Sequence, residues 1–233
     1  MSMICVPVRA KTLKELAKQV KEASKKADVV EVWMDGLPPE IGAHEVRKIT
    51  VKPLIAVCKG KRENGSWRGG ETKRIARLME CAAAGMDYVD VDLRTRPDLI
   101  AKLAKITGGR APRRTKLIVS YHDFKKTPSL KTLKSLYSRA VAAGADVVKI
   151  SVFANTYEDN LRLLGLGAAV GAGNRPRPLI ITSMGEKGRI GRIAAPLFGS
   201  IIVFAASDKK NLTAPGQLTL EQYKKIASVI NTD

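Results

Sequence analysis

Lys149 stands inside an apolar run, VVKISVFA (147–154), and His122 lies near the end of another, KLIVSYHDF (116–124). A lysine between Val148 and Ile150 is unusual, because burying an ammonium is costly unless it is paired or loses its proton. An interior amine with a lowered pKa can attack a ketone or aldehyde and form an imine. An iminium draws electrons from the adjoining carbon, and a histidine beside it is suited to moving the proton made acidic there. The competing reading of Lys149 is structural, an ammonium paired across the interior with Glu31, Asp90 or Asp92. His122 alone is equally compatible with a satisfied core histidine; the two residues together favour chemistry. Glu31, in DVVEVWMD (28–35), is the third candidate. It could hold the imidazole in one tautomer or balance the lysine. The other histidine, His44, lies in a weak helical pattern and reads as a surface residue.

The elements that must position these residues recur in strict alternation. Strand-like runs cover 3–8, 28–35, 54–59, 88–93, 116–124, 147–154, 179–185 and 201–206. Helical spacing covers 11–27, 39–48, 71–85, 97–106, 129–144, 156–166, 188–198 and 219–230. Alternation of this kind implies parallel strands joined by helical crossovers. Eight units with short linkers and no composition shift predict one α/β domain over 1–233, a single-domain (β/α)8 TIM barrel. Strand side chains alternate between faces. In three strands one face is wholly apolar and should meet the helices. The mixed face then turns Glu31, His122 and Lys149 into the barrel. Active sites of this fold gather where strands run into the following loops.

Composition narrows the function classes. Hydrophobic residues make up 45% and charged residues 27% of the 233, as in a soluble globular protein. No run reaches the roughly 18–20 apolar residues of a membrane span, and the start of the chain carries no apolar stretch of signal-peptide length, so a cytoplasmic protein is expected. Cys5, Cys58 and Cys81 have neither metal-ligand nor redox spacing and read as buried hydrophobes. The formal charge of +19 would suit nucleic acid, but the lysines and arginines are spread along helical polar faces, and no aromatic-interleaved platform accompanies them. A solvated basic surface that attracts a small anion is the preferred reading, with no specific nucleic-acid partner. A glycine-rich loop, SMGEKGRIGR (183–192), could receive an anion, with Arg192 one turn into the next helix. TAPGQ (213–217) has the make-up of a cover.

SYHDF followed by VVKI, then SMGEKGRIGR, FGS (198–200) and APGQ, in this order and spacing, resembles the type I 3-dehydroquinate dehydratases of the shikimate pathway. The resemblance covers nearly the whole chain. It implies a (β/α)8 barrel, a homodimer, and no metal or organic cofactor. It also implies dehydration of 3-dehydroquinate through a Schiff base on Lys149, with His122 moving the proton and Glu31 supporting His122. Arg192 would grip the substrate carboxylate, and Gln217 and Thr213 would close over it. Two positions depart from the family pattern: Trp33 and Lys59 stand where arginines that bind substrate are usual. Lysine keeps the charge without the planar fork; tryptophan loses it, and Arg62 or Arg68 of the following loop could restore it. The alternative activity is a Schiff-base class I aldolase on the same barrel.

Overall fold

A computed structural model of the chain describes residues 2–107, 115–174 and 176–230. Eight strands, β1 (Met3–Val8), β2 (Val29–Trp33), β3 (Leu54–Val57), β4 (Tyr88–Asp92), β5 (Lys116–Asp123), β6 (Val147–Phe153), β7 (Leu179–Met184) and β8 (Ile202–Phe204), alternate with eight helices. These are α1 (Leu13–Ser24), α2 (Ala43–Arg47), α3 (Glu71–Ala83), α4 (Pro97–Thr107), α5 (Leu130–Ala142), α6 (Glu158–Gly171), α7 (Arg189–Ala194) and α8 (Leu220–Ile230). All strand pairs are parallel, in the order β7-β6-β5-β4-β3-β2-β1-β8. The ring closes between β7 and β8 through one backbone bridge, Leu179 to Ser200. The Ser200 hydroxyl completes that seam, accepting from Ile181 N at 3.1 Å and donating to Ile202 O at 3.1 Å. The fold is the expected (β/α)8 barrel.

The lower ends of the strands are fastened by a repeated device. Asp28, Asp87 and Asp146, each just before an even-numbered strand, accept from the backbone N–H of Ile4, Leu54 and Leu117 on the neighbouring odd strand at 2.8–2.9 Å. An otherwise orphaned donor at each strand start is thereby satisfied.

Side-chain parity builds two cores. Outward residues such as Val30, Val32, Val89, Val91, Leu117, Val148 and Ile150 pack against Leu16, Val20, Ile75, Leu78, Leu103 and Leu133 of the helices. Inside, the first layer is apolar: Cys5, Val29, Ile55, Tyr88, Ile118, Val147, Ile180 and Ile202. Two residues further along, the interior turns polar on five strands, with Glu31, Asp90, Ser120, Lys149 and Thr182 all buried, while Val57 and Phe204 keep it apolar on β3 and β8. The next step brings Trp33, His122 and Ser151 to the mouth. The apolar first layer excludes water beneath the charged one, which strengthens every ionic contact in it.

Some boundaries differ from the periodicity. Helix α6 runs five residues past 166, to Gly171, through GLGAAVG. The glycine there is steric: a Cβ on Gly167 would stand 2.2 Å from Phe198 O, so only glycine lets α6 lie this close to the turn after α7. The segment 188–198 divides into α7 and a 3-10 turn (Ala195–Phe198), because Pro196 cannot continue the α-helical ladder. Strand β2 stops at Trp33, and Asp35 sits in a 3-10 turn, where its carboxylate accepts from Lys59 N and Ser66 N at 2.9 and 2.7 Å. All three cysteines are buried and free, and His44 is exposed. Among the described residues no helix is long and apolar enough to cross a membrane.

Candidate active site

Glu31, Trp33, Lys59, His122, Lys149, Arg192, Thr213 and Gln217 line one cleft at the carboxyl ends of the strands. The eight sequence-derived site residues therefore meet in space. They come from β2, β5 and β6, from the ends of β3 and of α7's first turn, and from the β8–α8 loop.

Lys149 Nζ lies 3.3 Å from Glu31 Oε2 and 3.2 Å from Asp90 Oδ2, with the ring of Phe204 4.2 Å away. Burial disfavours its ammonium, but the two carboxylates outweigh burial and raise its pKa. The lowered pKa expected of an interior lysine is thus not found: the pKa of Lys149 is raised instead. The pairing suggested as its structural alternative, with Glu31 and Asp90, is present. Asp92 is not a partner; Arg94 holds it bidentately, at 2.8 and 2.6 Å.

A second buried lysine shares the same anions. Lys59 Nζ donates to Glu63 Oε1 and to Asp90 Oδ1, both at 2.7 Å. Burial opposes the charge on Lys59, yet Asp90 and Glu63 raise its pKa. Ser120 donates to Asp90 Oδ1 at 2.6 Å. Burial pushes the Asp90 carboxyl up, but the adjacent Lys59 and Lys149 ammonium groups outweigh it and hold its pKa well below the usual carboxylate range. The layer is a network of two ammonium groups and three carboxylates, in which every charge has a partner.

His122 is one layer nearer the mouth than Lys149: Ser120 is the register partner of Lys149, and His122 that of Ser151. Its Nδ1 approaches Glu63 Oε1 at 3.4 Å, without the alignment of a formed hydrogen bond. Catalytic contacts are often this loose before substrate binds. Glu63 is buried, and although desolvation pushes its carboxyl up, Lys59 and His122 hold it down at about 2. Here the structure corrects the sequence reading. The carboxylate facing His122 is Glu63, not Glu31, whose two oxygens are taken by Trp33 Nε1 (2.9 Å) and Lys149. Glu63 was missed because it lies in a glycine-rich loop, in a 3-10 turn (Lys61–Glu63). The usable signal was its spacing of four from Lys59, an acid–base pair able to close within one turn. Asp123, next to His122 in sequence, instead accepts from Lys125 N and Lys126 N.

The opposite wall is built differently. Arg192 is buried and donates to Pro215 O at 3.1 Å, while its Nε has no partner among the described residues. Burial alone lowers its pKa, to about 10, with no carboxylate to offset it. Gln217 Oε1 accepts from Thr213 N at 2.8 Å and from its hydroxyl at 3.1 Å. This loop is seated on the glycine-rich loop, where Gly185 N donates to Pro215 O at 3.0 Å. Gly216, at φ 70°, permits the approach, since a Cβ there would lie 1.9 Å from Gly185 O. Neither Arg62 nor Arg68 lines the cleft; Arg68 donates to the carbonyls of Gly65 and Trp67 in its own loop. The cation beside Trp33 is Arg9, whose Cζ is 3.5 Å from the indole centroid.

One ligand atom each from Glu63, Asp92 and His122 lie within 4.8 Å of one another, a spacing compatible with a metal ion. Lys59 and Arg94 already neutralise two of the three, so a cation would have to displace both. The set does not fit a resident metal.

An eight-stranded barrel carrying an interior lysine, a histidine one layer above it and a buried arginine facing no carboxylate has the build of a (β/α)8 barrel enzyme. The model of the family described as type I 3-dehydroquinase matches residues 4–233, and the chain belongs to that family, whose members are hydro-lyases. A 3-dehydroquinate dehydratase of Methanococcus vannielii is 32% identical over 228 residues, covering 98% of this chain and all of the relative. Among solved structures, the 3-dehydroquinate dehydratase of Geobacillus kaustophilus superposes with a TM-score of 0.90 at 27% identity, over 100% of this chain and 92% of that one. The type I enzyme of Clostridium difficile, solved with covalently modified comenic acid, gives 0.88 at 26% identity, over 99% and 92%.

Proposed function

We propose that this cleft converts 3-dehydroquinate to 3-dehydroshikimate, with Lys149 as the imine-forming amine. The carrying observation is a buried lysine in a charge-balanced layer, directly below a histidine and opposite a buried arginine that lacks a carboxylate. Lys149 must first lose a proton, for which Glu31 and Asp90 are the adjacent acceptors. The free amine adds to the substrate ketone, and the hydroxyl of the resulting carbinolamine takes back the proton held by the accepting carboxyl and leaves as water, giving the iminium. His122 takes a proton from the carbon next to the iminium, and the electron pair left behind forms an enamine. The enamine expels the β-hydroxyl, which His122 protonates so that it departs as water. Hydrolysis of the remaining imine restores Lys149 and releases the enone. Arg192 binds the substrate carboxylate, filling the place where a buried cation lacks its anion. Gln217 and Thr213 close over the substrate. Lys59 keeps Glu63 and Asp90 ionised, and Trp33 forms the β2 wall.

Purified protein with 3-dehydroquinate should develop the near-ultraviolet absorbance of a conjugated enone. Borohydride added during turnover should fix the substrate mass on Lys149. An adduct on another lysine, or none, would overturn the assignment.

The working form is a homodimer in the cytoplasm. Tyr157 just before α6, Leu161 of α6, Ile190 of α7, and Leu197 and Phe198 in the turn that follows are exposed apolar side chains on adjoining elements. Such a patch suits a second copy. Light scattering should give twice the 25.3 kDa of one chain; a monomer at micromolar concentration would remove this part of the reading.

A further inference from the structure

Trp33 touches two things besides the cleft. Its indole N–H donates to Glu31 Oε1 at 2.9 Å, and the Arg9 guanidinium lies over its ring at 3.5 Å. Glu31 turns its other oxygen to Lys149 Nζ at 3.3 Å. A continuous chain thus runs from Arg9 at the end of β1, through Trp33 and Glu31 of β2, to Lys149 of β6. We propose that Trp33, polarised by Arg9, is a positioning residue that draws negative charge away from Lys149 through Glu31, and so eases deprotonation of that amine. This rests on the imine reading above.

The physics follows from the donor. A carboxylate that accepts a hydrogen bond on one oxygen presents less charge on the other. A cation over the indole face strengthens the ring's N–H as a donor and adds its own attraction for Glu31. Both loosen the grip of Glu31 on the Lys149 ammonium. The other groups around the pair are already committed. Asp90 on β4 faces Lys149 at 3.2 Å but is shared with Lys59 and Ser120. Lys59, after β3, repels the Lys149 charge, and the Phe204 ring of β8 lies over it at 4.2 Å. Cys5 of β1 is buried and stays a thiol, because burial and the Glu31 charge both raise its pKa. Asp35 interacts with Arg9 from the turn after β2. Trp33 and Arg9 are therefore the groups that act on Glu31 from the side away from Lys149.

The test is the pH dependence of borohydride trapping on Lys149, read together with the pH profile of kcat/KM. Trp33→Phe keeps a ring under Arg9 and removes the N–H. Loss of one hydrogen bond to a charged group should move the acidic limb of both profiles upward by about 0.5–1 pH unit, with trapping at alkaline pH restored to the wild-type level. Arg9→Gln should move the limb in the same direction by less, and Arg9→Lys should restore most of it. A Trp33→Phe variant that keeps native circular dichroism and loses activity equally at every pH would overturn the proposal. So would an Arg9→Gln variant whose KM rises with an unshifted limb, since that marks a direct substrate contact. If the wild-type protein itself gives no adduct on Lys149, the imine reading fails first; an adduct with an unmoved limb sinks only the role of Trp33 and Arg9.

Discussion

The two sides of the cleft handle buried charge in opposite ways. On the floor, Lys59 and Lys149 meet Glu31, Glu63 and Asp90 at 2.7–3.3 Å, and no charge stands alone. On the roof, Arg192 is just as buried and has only a backbone carbonyl. Ions taken out of water are tolerated when paired, while an unpaired one is a standing cost. The floor is thus complete before substrate arrives, as proton handling requires. The roof carries an unmet demand for an anion, which a carboxylate substrate supplies. Binding energy collects at the roof, and the floor keeps its charges fixed for the chemical steps.

Substitutions can break that contrast. His122→Ala should lower turnover by about 10²–10⁴-fold while imine trapping on Lys149 persists; steady-state rates with parallel mass spectrometry would show it, and undiminished turnover would remove His122 from the mechanism. Asp90→Asn takes an anion from between two ammonium groups and should cost about 3–5 kcal/mol in urea unfolding, the penalty of breaking a buried pair. Arg192→Met should do the reverse to the free protein, leaving its stability equal or higher, while kcat/KM falls about 10- to 100-fold, chiefly through KM. If both variants lose similar stability, the roof is as self-balanced as the floor and the contrast fails. The smallest effect concerns acid. The folded Glu63 carboxyl is held down at about 2, against about 4.3 in the unfolded chain. Its contribution is therefore whole above pH ~4.3 and lost as the pH falls towards 2. Glu63→Gln should flatten the decline of stability across that window in denaturant titrations at stepped pH.

How much of this was readable depended on the range of the cause. Parity within VVKISVFA and KLIVSYHDF was enough to turn Lys149 and His122 to one side, since alternation is a property of a single strand. Glu63 obeys no such rule: it reaches His122 because a 3-10 turn folds the β3–α3 loop back over the barrel mouth. Arg9 ends up over Trp33 because β1 and β2 are neighbours in register, Val8 beside Val32, an arrangement that no local pattern announces.

The amino-acid order by itself determined the eight alternating units, the polar second layer of the interior and the meeting of an interior lysine with a histidine, all set by periodicities of a few residues. The tertiary structure alone decided which carboxylate serves which cation. It gave Glu31 to Lys149 and Glu63 to His122, and it raised the pKa of Lys149 where burial by itself would lower it. The physical reason is that ion pairing in a barrel is settled by reach across the interior, where charges within about 3 Å outweigh desolvation, and distances across the interior are not written in the spacing along any one strand.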